Sequence, residues 1–420
     1  MQIKSIENII DYFNQGVKKD QFIGVENEKF LFEANTNLRA NYIRVKKVLE
    51  LLKNKFGWEE IKEGENLIGL KYNEKSITLE PGNQIELAGE KLENIHKVCS
   101  ESHSFQDQLA KVCEEIDLKT MSVGYDPFTK LKDVPNNPKQ RYQLMTNEMP
   151  KNGKLSLNMM YQTSGTQINL DYLSENDFKK KFKLISYLTP LVIGIFANSA
   201  IVENKPSGFL SYRAKVWQNT SRGGLPEIFL ENMDFEKYAD FVINMPLLFI
   251  FNKNQHIYAK GKKFKDFMNG NLSEVDNQLP TLKDLEIHLS TIFTEVRLKK
   301  YLEIRSLDAC EWDCHCAGPA FYTGLIYEKL DEALDVVKDW KNKDILNAYL
   351  DAPKKGLKTE INDKSILDWG KILLNLSKEG LLKRNHQNNK GQNETVFLKN
   401  IEYILKENKT KAEKTLETLN

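Results

Sequence analysis

The amino-acid sequence predicts an α+β fold, in which strands and helices follow one another without a regular β–α–β repeat. Segments with a period of two residues, typical of strands, are interspersed irregularly with long segments of helical period. The glycine fingerprints of dinucleotide-binding and P-loop proteins are absent from the 420 residues. A nucleotide, if one is bound, must therefore be held by other groups.

The predicted elements follow from the spacing of apolar residues along the chain. Residues 1–20 contain a helix with Ile3, Ile6, Ile9, Ile10 and Phe13 on one side. Strands are predicted over residues 22–30, 76–87 with a break at Pro81-Gly82, 159–172 and 295–307. Helices are predicted over residues 41–55, 90–120 and 177–200 and from about residue 319 onward, and a short helix or turn over residues 281–293. Residues 125–150, with one short helix, and residues 210–229 are predicted to be loops.

The charge balance excludes several classes of protein. Sixty lysines and arginines face 59 aspartates and glutamates, which leaves a formal charge of +1. Chains that coat nucleic acid or an anionic membrane have a strong basic excess, so we predict neither partner. The sequence has no apolar stretch of about 18 residues, no signal-peptide pattern at its start and only five cysteines. These features predict a cytoplasmic protein with reduced thiols and leave its oligomeric state open.

Polar side chains occupy one face of each of four predicted strands. Residues two apart on a strand point the same way, so Glu26 and Glu28 project together, as do Gln84 and Glu86. Glu80 precedes the break in its strand, so the alternation does not determine on which face its side chain lies. The third strand has Gln167, Asn169 and Asp171 on one face, and the fourth has Glu295, Arg297, Lys299, Tyr301, Glu303 and Arg305 along it.

Two interpretations of these polar faces differ in their consequences. Each strand alone is typical of an antiparallel sheet with one side in water. Taken together, the paired carboxylates, amides and arginines indicate a concave polar surface. Such a surface suits Mg²⁺, which prefers oxygen ligands, and polyphosphate, which binds Mg²⁺ and arginine. Arg297 and Arg305 are then candidates to meet phosphate or a substrate carboxylate.

Five segments resemble the motifs of one enzyme family and follow in the family's order. They are residues 23–30 (IGVENEKF), 79–89 (LEPGNQIELAG), 162–172 (QTSGTQINLDY), 211–217 (SYRAKVW) and 295–305 (EVRLKKYLEIR). The family is glutamate–cysteine ligase of the plant and proteobacterial type. The resemblance extends over roughly residues 20–385, and its eleven-residue segment is the most specific.

The resemblance implies a glutamine-synthetase-like fold, in which a curved antiparallel sheet surrounded by helices forms an active-site funnel. The implied activity is the first step of glutathione synthesis. ATP phosphorylates the γ-carboxyl of L-glutamate, and the amine of L-cysteine attacks the γ-glutamyl phosphate. The implied cofactors are ATP and two or more Mg²⁺ ions. We predict a single catalytic domain over residues 1–405, helical from about residue 319, and a polar tail or frayed helix over residues 406–420.

The resemblance also assigns candidate site residues. Acidic motif positions imply a metal site formed by Glu26, Glu28, Glu80, Glu86 and Glu303. Lys29, Gln167 and Arg297 are candidate substrate or ATP contacts, and Arg213 and Arg305 are candidate catalytic residues. For each arginine, an ion pair that ties the sheet to a loop is the structural alternative. Two rival functions also remain: a related carboxylate–amine ligase with another acceptor or thiol pathway, and a non-catalytic binding homologue.

The sequence departs from the family pattern at two places. Asn27 occupies a position where the family has His, and residues 308–316 (DACEWDCHC) replace a glycine-rich turn. Three cysteines and one histidine suggest zinc, but zinc sites use two separated knuckles with other spacings. We predict free buried thiols at Cys310, Cys314 and Cys316, with a redox-sensitive pair as the alternative.

Overall fold

The computed structural model of the chain describes residues 2–252, 255–312 and 314–419. Its strands are β1 (Ile23–Glu33), β2 (Glu59–Glu63), β3 (Asn66–Tyr72), β4 (Lys75–Leu79), β5 (Ile85–Ala88), β6 (Leu118–Met121), β7 (Gly165–Leu170), β8 (Ile201–Val202), β9 (Lys205–Pro206), β10 (Gly223–Gly224), β11 (Ile250–Asn252), β12 (Gln255–Ile257), β13 (Phe293–Thr294), β14 (Val296–Leu298), β15 (Leu302–Asp308), β16 (Glu360–Ile361) and β17 (Lys364–Ser365).

Its helices are α1 (Ile6–Asn14), α2 (Tyr42–Phe56), α3 (Ile95–Glu115), α4 (Gln140–Glu148), α5 (Ser156–Gln162), α6 (Glu175–Ile195), α7 (Tyr212–Trp217), α8 (Phe235–Asn244), α9 (Phe264–Met268), α10 (Leu282–Ser290), α11 (Ala317–Thr323), α12 (Leu330–Val336), α13 (Asn342–Lys355), α14 (Ile366–Arg384), α15 (Lys399–Glu407) and α16 (Lys411–Glu417). The predicted mixture of strands and helices in an α+β arrangement is confirmed.

One antiparallel sheet forms the centre of the fold. Its strands lie in the order β14-β15-β7-β1-β5-β4-β3-β2, and β6 pairs with the end of β1 beyond β5. The pairing of β1 with β5 places Glu28 opposite Glu86, and the pairing with β7 places Glu26 opposite Gln167. Directly opposed residues point to the same side of an antiparallel pair. The register therefore gathers the polar side chains of three strands on one face.

Several predicted boundaries differ from the structure. Residues 159–162 end helix α5, so only the second half of the predicted strand is extended. Residues 295–307 form the hairpin β14–β15 rather than one strand, and the predicted loop 210–229 contains α7. The hairpin β2–β3 was not predicted, because residues 59–72 are rich in charged and polar groups that weaken the alternation of an edge strand.

The rear of the sheet packs on the main apolar core. Helix α6 lies within this core, and its second half is buried on all sides, which explains its nearly continuous apolar sequence. A second core lies between α2, α3 and strands β3–β5. Within the described ranges, no helix is long and apolar enough to cross a membrane.

The cysteine-rich segment corrects one prediction. Cys310 and Cys314 are joined by a disulfide, so they are not free thiols. Their Cα atoms lie 6.0 Å apart, within reach of a disulfide. Cys316 is a free and buried thiol, as predicted. Cys310 and Cys314 are four residues apart, a spacing that is not typical of a zinc site but that allows these two cysteines to pair.

The C-terminal segment packs on the domain. Helix α16 begins with a capping box, in which Thr410 accepts from the backbone N–H of Glu413 and Glu413 accepts from that of Thr410. Ala412 is buried beside Ala197, Ala200 and Leu210. Residues 411–417 therefore form a docked helix at the position where the sequence predicts a polar tail.

We predict that Gly380→Ala destabilises the protein whereas Gly370→Ala does not. Both glycines are buried in α14, so both substitutions gain similar helix propensity. A Cβ at position 380 would collide with the backbone of Gly324, whereas at position 370 it meets only the movable ends of Leu405 and Ile195. The expected loss for Gly380→Ala is about 1–3 kcal/mol, measured by denaturant unfolding. Equal stability of the two variants would contradict this close helix contact.

Candidate active site

A polar cavity lies on the face of the sheet opposite the main core. Its acidic side is formed by Glu26, Glu28, Glu80 and Glu86. Its basic side is formed by Arg297, Arg305 and Arg141, and Gln167 also lines it. Most of its remaining lining is apolar or aromatic and includes Met159, Met160, Trp217, Phe293 and Tyr142. Seven of the ten predicted site residues meet at this one place.

The acidic side chains are held by short hydrogen bonds from neighbouring strands. Thr78 Oγ1 donates to Glu86 at 2.6 Å, and the backbone N–H of Gly165 donates to Glu28 at 2.7 Å. Asn169 Nδ2 donates to Glu26 at 2.9 Å. These donors fix the carboxylates, but they do not neutralise them.

Burial and the neighbouring carboxylates raise the pKa values of Glu28 and Glu86. Burial, followed by the charge of Glu80, raises the pKa of Glu28 to about 7, against the lowering effect of Arg213. Burial and the charges of Glu26, Glu80 and Glu28 raise the pKa of Glu86 well above its usual value. Arg213 and Arg305 lower the pKa of Glu28, but their charges do not offset the combined effect of burial and the neighbouring carboxylate.

The carboxylates of this cavity are compatible with a Mg²⁺ ion whose remaining ligands are water and phosphate oxygens. Among the described residues, no three His, Cys, Asp or Glu side chains converge into a ready-made metal cage. Magnesium does not require one, since it usually takes one or two carboxylates and completes its shell with water and phosphate oxygens. The opposed pair Glu28 and Glu86, with Glu26 and Glu80 beside it, supplies such carboxylates.

The basic side of the cavity is organised around Glu303. Its fully buried carboxylate pairs with Arg297, with Lys299 at 2.6 Å and with Arg305 at 3.6 Å. Burial opposes ionisation of Glu303, but these three cations outweigh it and hold its pKa below the usual range. Glu303 is thus charged and ion-paired to three protein cations.

Two arginines lie close to the Trp217 ring. The guanidinium of Arg213 is 5.0 Å from the ring centroid and that of Arg305 is 5.3 Å away. Arg213 also donates to the backbone carbonyl of Arg305 at 2.7 Å. Arg305 and Trp217 line the cavity, so Arg213 contacts two lining residues without being one of them.

Lys29 is on the wrong side of the sheet for a substrate contact. It follows Glu28 on β1, so its side chain points to the rear, where Nζ donates to Ser122 Oγ at 2.7 Å. Burial lowers its pKa to about 8, although Glu311 opposes this effect. We therefore correct its assignment as a substrate or ATP contact.

The sequence reasoning missed several polar or aromatic cavity residues, among them Arg141, Tyr142 and Trp217. Arg141 and Tyr142 begin α4, within a segment predicted to be mostly loop, and Trp217 ends α7. Trp217 lies in the SYRAKVW motif, which was a usable signal. Nothing in the local sequence distinguishes Arg141 from a surface arginine, because only the tertiary fold brings α4 over the sheet.

Comparison with known proteins identifies the family. A family model described as glutamate-cysteine ligase family 2 matches residues 22–419. The chain belongs to this family. The chloroplastic glutamate–cysteine ligase of Nicotiana tabacum is 40% identical over 418 residues, covering 98% of this chain and 79% of the relative. Glutamate–cysteine ligase B of Oryza sativa subsp. japonica, also chloroplastic, is 40% identical over 417 residues, covering 98% and 83%.

A solved structure supports the fold class independently. The crystal structure of a glutamate–cysteine ligase from Francisella tularensis in complex with AMP superposes with a TM-score of 0.53. It covers 96% of this chain and 85% of that chain at 13% identity, so the similarity concerns the fold. The glutamine-synthetase-like fold predicted from the motifs is confirmed.

The names of the relatives correct the predicted location. The ligases of Nicotiana tabacum, Solanum lycopersicum, Oryza sativa and Arabidopsis thaliana are all chloroplastic. The prediction of a cytoplasmic protein is contradicted by these relatives. It rested on the lack of a long apolar stretch and of a signal-peptide pattern and on the low cysteine count, none of which identifies a compartment.

We predict that Glu28→Gln changes how stability depends on pH in metal-free protein. The folded state keeps a proton on Glu28 up to about pH 7, whereas the unfolded chain loses it near 4.5. Protonated Glu28 therefore contributes to the free energy of unfolding in full below pH 4.5. This contribution is lost as the pH rises from 4.5 through 7, by at most about 3 kcal/mol. In EDTA, Glu28→Gln should therefore be more stable than wild type at pH 8 and differ less at pH 5. The same difference in unfolding free energy at both pH values would refute the raised pKa.

Proposed function

We propose that the protein joins the γ-carboxyl of L-glutamate to the amine of L-cysteine at the expense of ATP, as the first step of glutathione synthesis. The observation that carries this proposal is the division of one cavity into a carboxylate side and an arginine side. Family membership supports the same reaction. A carboxylate is a poor electrophile, so its conversion to γ-glutamyl phosphate is the step that makes attack by an amine feasible.

The acidic side suits the binding of ATP with its metal ions. Glu26, Glu28, Glu80 and Glu86 would hold two or more Mg²⁺ ions, with Gln167 beside them. Bound Mg²⁺ would neutralise charge on the phosphates during phosphoryl transfer. Charge neutralisation also relieves the repulsion that raises the pKa values of Glu28 and Glu86.

The basic side suits the anionic groups of the substrate. Arg297 and Arg305 face the cavity with planar donors that match a carboxylate or a transferred phosphoryl group. Glu303 is better placed to orient these arginines than to bind a metal, because its oxygens are engaged by their guanidinium groups and by Lys299. Arg213 contacts both Arg305 and Trp217.

The apolar wall suits the second substrate. Met159, Met160 and Phe293 present soft, uncharged surface beside the polar groups. A short thiol side chain is compatible with such a surface, whereas a charged side chain would lose hydration there. This contrast favours cysteine over an acceptor amino acid with a charged side chain.

We expect ADP release to require glutamate, Mg²⁺ and an amine, with cysteine as the best acceptor. The measurement is coupled ADP detection with candidate amines added singly and product identification by mass. If another amine gives more ADP than cysteine does, the acceptor assignment is wrong but the ligase assignment stands. No consumption of ATP with any amine would favour the non-catalytic homologue.

Glu86→Gln should abolish or severely reduce turnover without unfolding the protein. Gln keeps the shape of the side chain but removes the charge that holds Mg²⁺ against the phosphates, so the loss should fall mainly on kcat. Glu59→Gln is the matched control, because Glu59 lies on β2 of the same sheet with its side chain 69% exposed. Near-normal turnover of Glu86→Gln would show that the polar face is only a hydrated side of the sheet.

A further inference from the structure

The turn that carries Glu80 is fixed from behind by buried groups. Within it, Glu80 N–H donates to Gln84 O, and Asn83 N–H donates to Glu80 O, both at 2.9 Å. Gly82 lies against the carbonyl of Tyr161, and a Cβ at that position would collide with it. Residues 80–84 therefore form a compact turn pressed against the end of α5.

Arg39 connects this turn to two other segments of the cavity wall. Its Nη2 donates to Gly82 O at 2.8 Å and lies 3.5 Å from Tyr161 O, and its Nη1 pairs with Asp126 at 2.5 Å. The guanidinium also stacks over the ring of Phe30 on β1, at 4.3 Å from its centroid. Its side chain is only 1% exposed, so it cannot contact substrate in the cavity.

Asp126 is itself held rigidly. The backbone N–H groups of Phe128 and Thr129 donate to its Oδ1 at 2.9 and 3.0 Å. Its own N–H donates to Gln162 O at 2.9 Å, at the end of α5. Oδ2 remains for Arg39, so the position of the guanidinium is set by a preformed loop.

We propose that Arg39, oriented by Asp126, is a positioning residue that sets the place of Glu80 relative to the opposed pair Glu28 and Glu86. This inference rests on the proposed metal-dependent function of the cavity. Glu80 is the only one of the four cavity glutamates that lies in a turn, so its place is not fixed by strand pairing. The planar guanidinium donates to the turn, to the end of α5 and to Asp126 and also stacks on Phe30 of β1, which a single ammonium group cannot do.

The experiment measures Mn²⁺ binding by calorimetry, as a substitute for Mg²⁺, together with melting temperature and kcat. Arg39→Lys keeps the charge and loses the fork. Arg384→Lys is the matched control, because Arg384 is also buried, pairs with Glu394 at 3.3 Å, donates to a carbonyl and lies over the Tyr327 ring, all away from the cavity. We expect a Mn²⁺ dissociation constant raised about tenfold or more in Arg39→Lys, and within about twofold of wild type in Arg384→Lys.

Asp126→Asn provides a second variant if Arg39→Lys folds poorly. Asn retains an oxygen for the N–H groups of Phe128 and Thr129 but removes the charge that holds Arg39. It should also weaken Mn²⁺ binding at temperatures well below its melting temperature. Addition of Mn²⁺ should raise the melting temperature of wild type more than that of either variant.

Two outcomes would overturn the inference and can be told apart. If wild type binds Mn²⁺ and both variants bind it equally well while only their melting temperatures fall, Arg39 has a structural role alone and the proposed function stands. If wild type binds no Mn²⁺ and makes no product, the metal site is refuted and the inference falls with it.

Discussion

Mutual repulsion of carboxylates on one face of the sheet is the constraint on which the rest of the structure depends. The register of β1 with β5 places Glu28 opposite Glu86, and the ladder fixes their backbone positions side by side. Unpaired buried charge opposes folding, so the remainder of the fold must supply the compensating stability. It does so on the rear of the same sheet, where the apolar core packs against α6.

The same sheet holds carboxylates in two opposite electrostatic states. Glu28 and Glu303 are both on the sheet, yet the pKa of the first is raised and that of the second is lowered. The difference is the neighbouring charge, which is carboxylate around Glu28 and guanidinium around Glu303. Gln167 lies between the two groups, donating to Glu28 and Glu86 at 3.4 Å and accepting from Arg305. A neutral amide has both a donor and an acceptor, so Gln167 bonds to the acidic and to the basic half of the cavity without adding charge to either.

Period-two alternation was sufficient to predict which residues share the face, because strand geometry is local. Glu26, Glu28 and Glu86 all lie where the alternation places them. The alternation predicts one strand over residues 295–305, whereas the structure has a hairpin in which Arg297 pairs with Glu303. Directly opposed residues also share a face, so Arg297 and Glu303 stay together, but Glu295 accepts from Tyr349 and does not line the cavity. Arg141, by contrast, reaches the cavity only through the packing of α4, which no local pattern encodes.

The two places where the sequence is expected to depart from the family pattern meet in the fold. Asn27 and His315 line the same small cavity on the rear of β1 with Lys29. Because successive side chains of a strand alternate between faces, this small cavity is separated from Glu26 and Glu28 by the thickness of the sheet. A side chain on the rear of β1 therefore does not enter the carboxylate cavity, although both faces belong to the same strand.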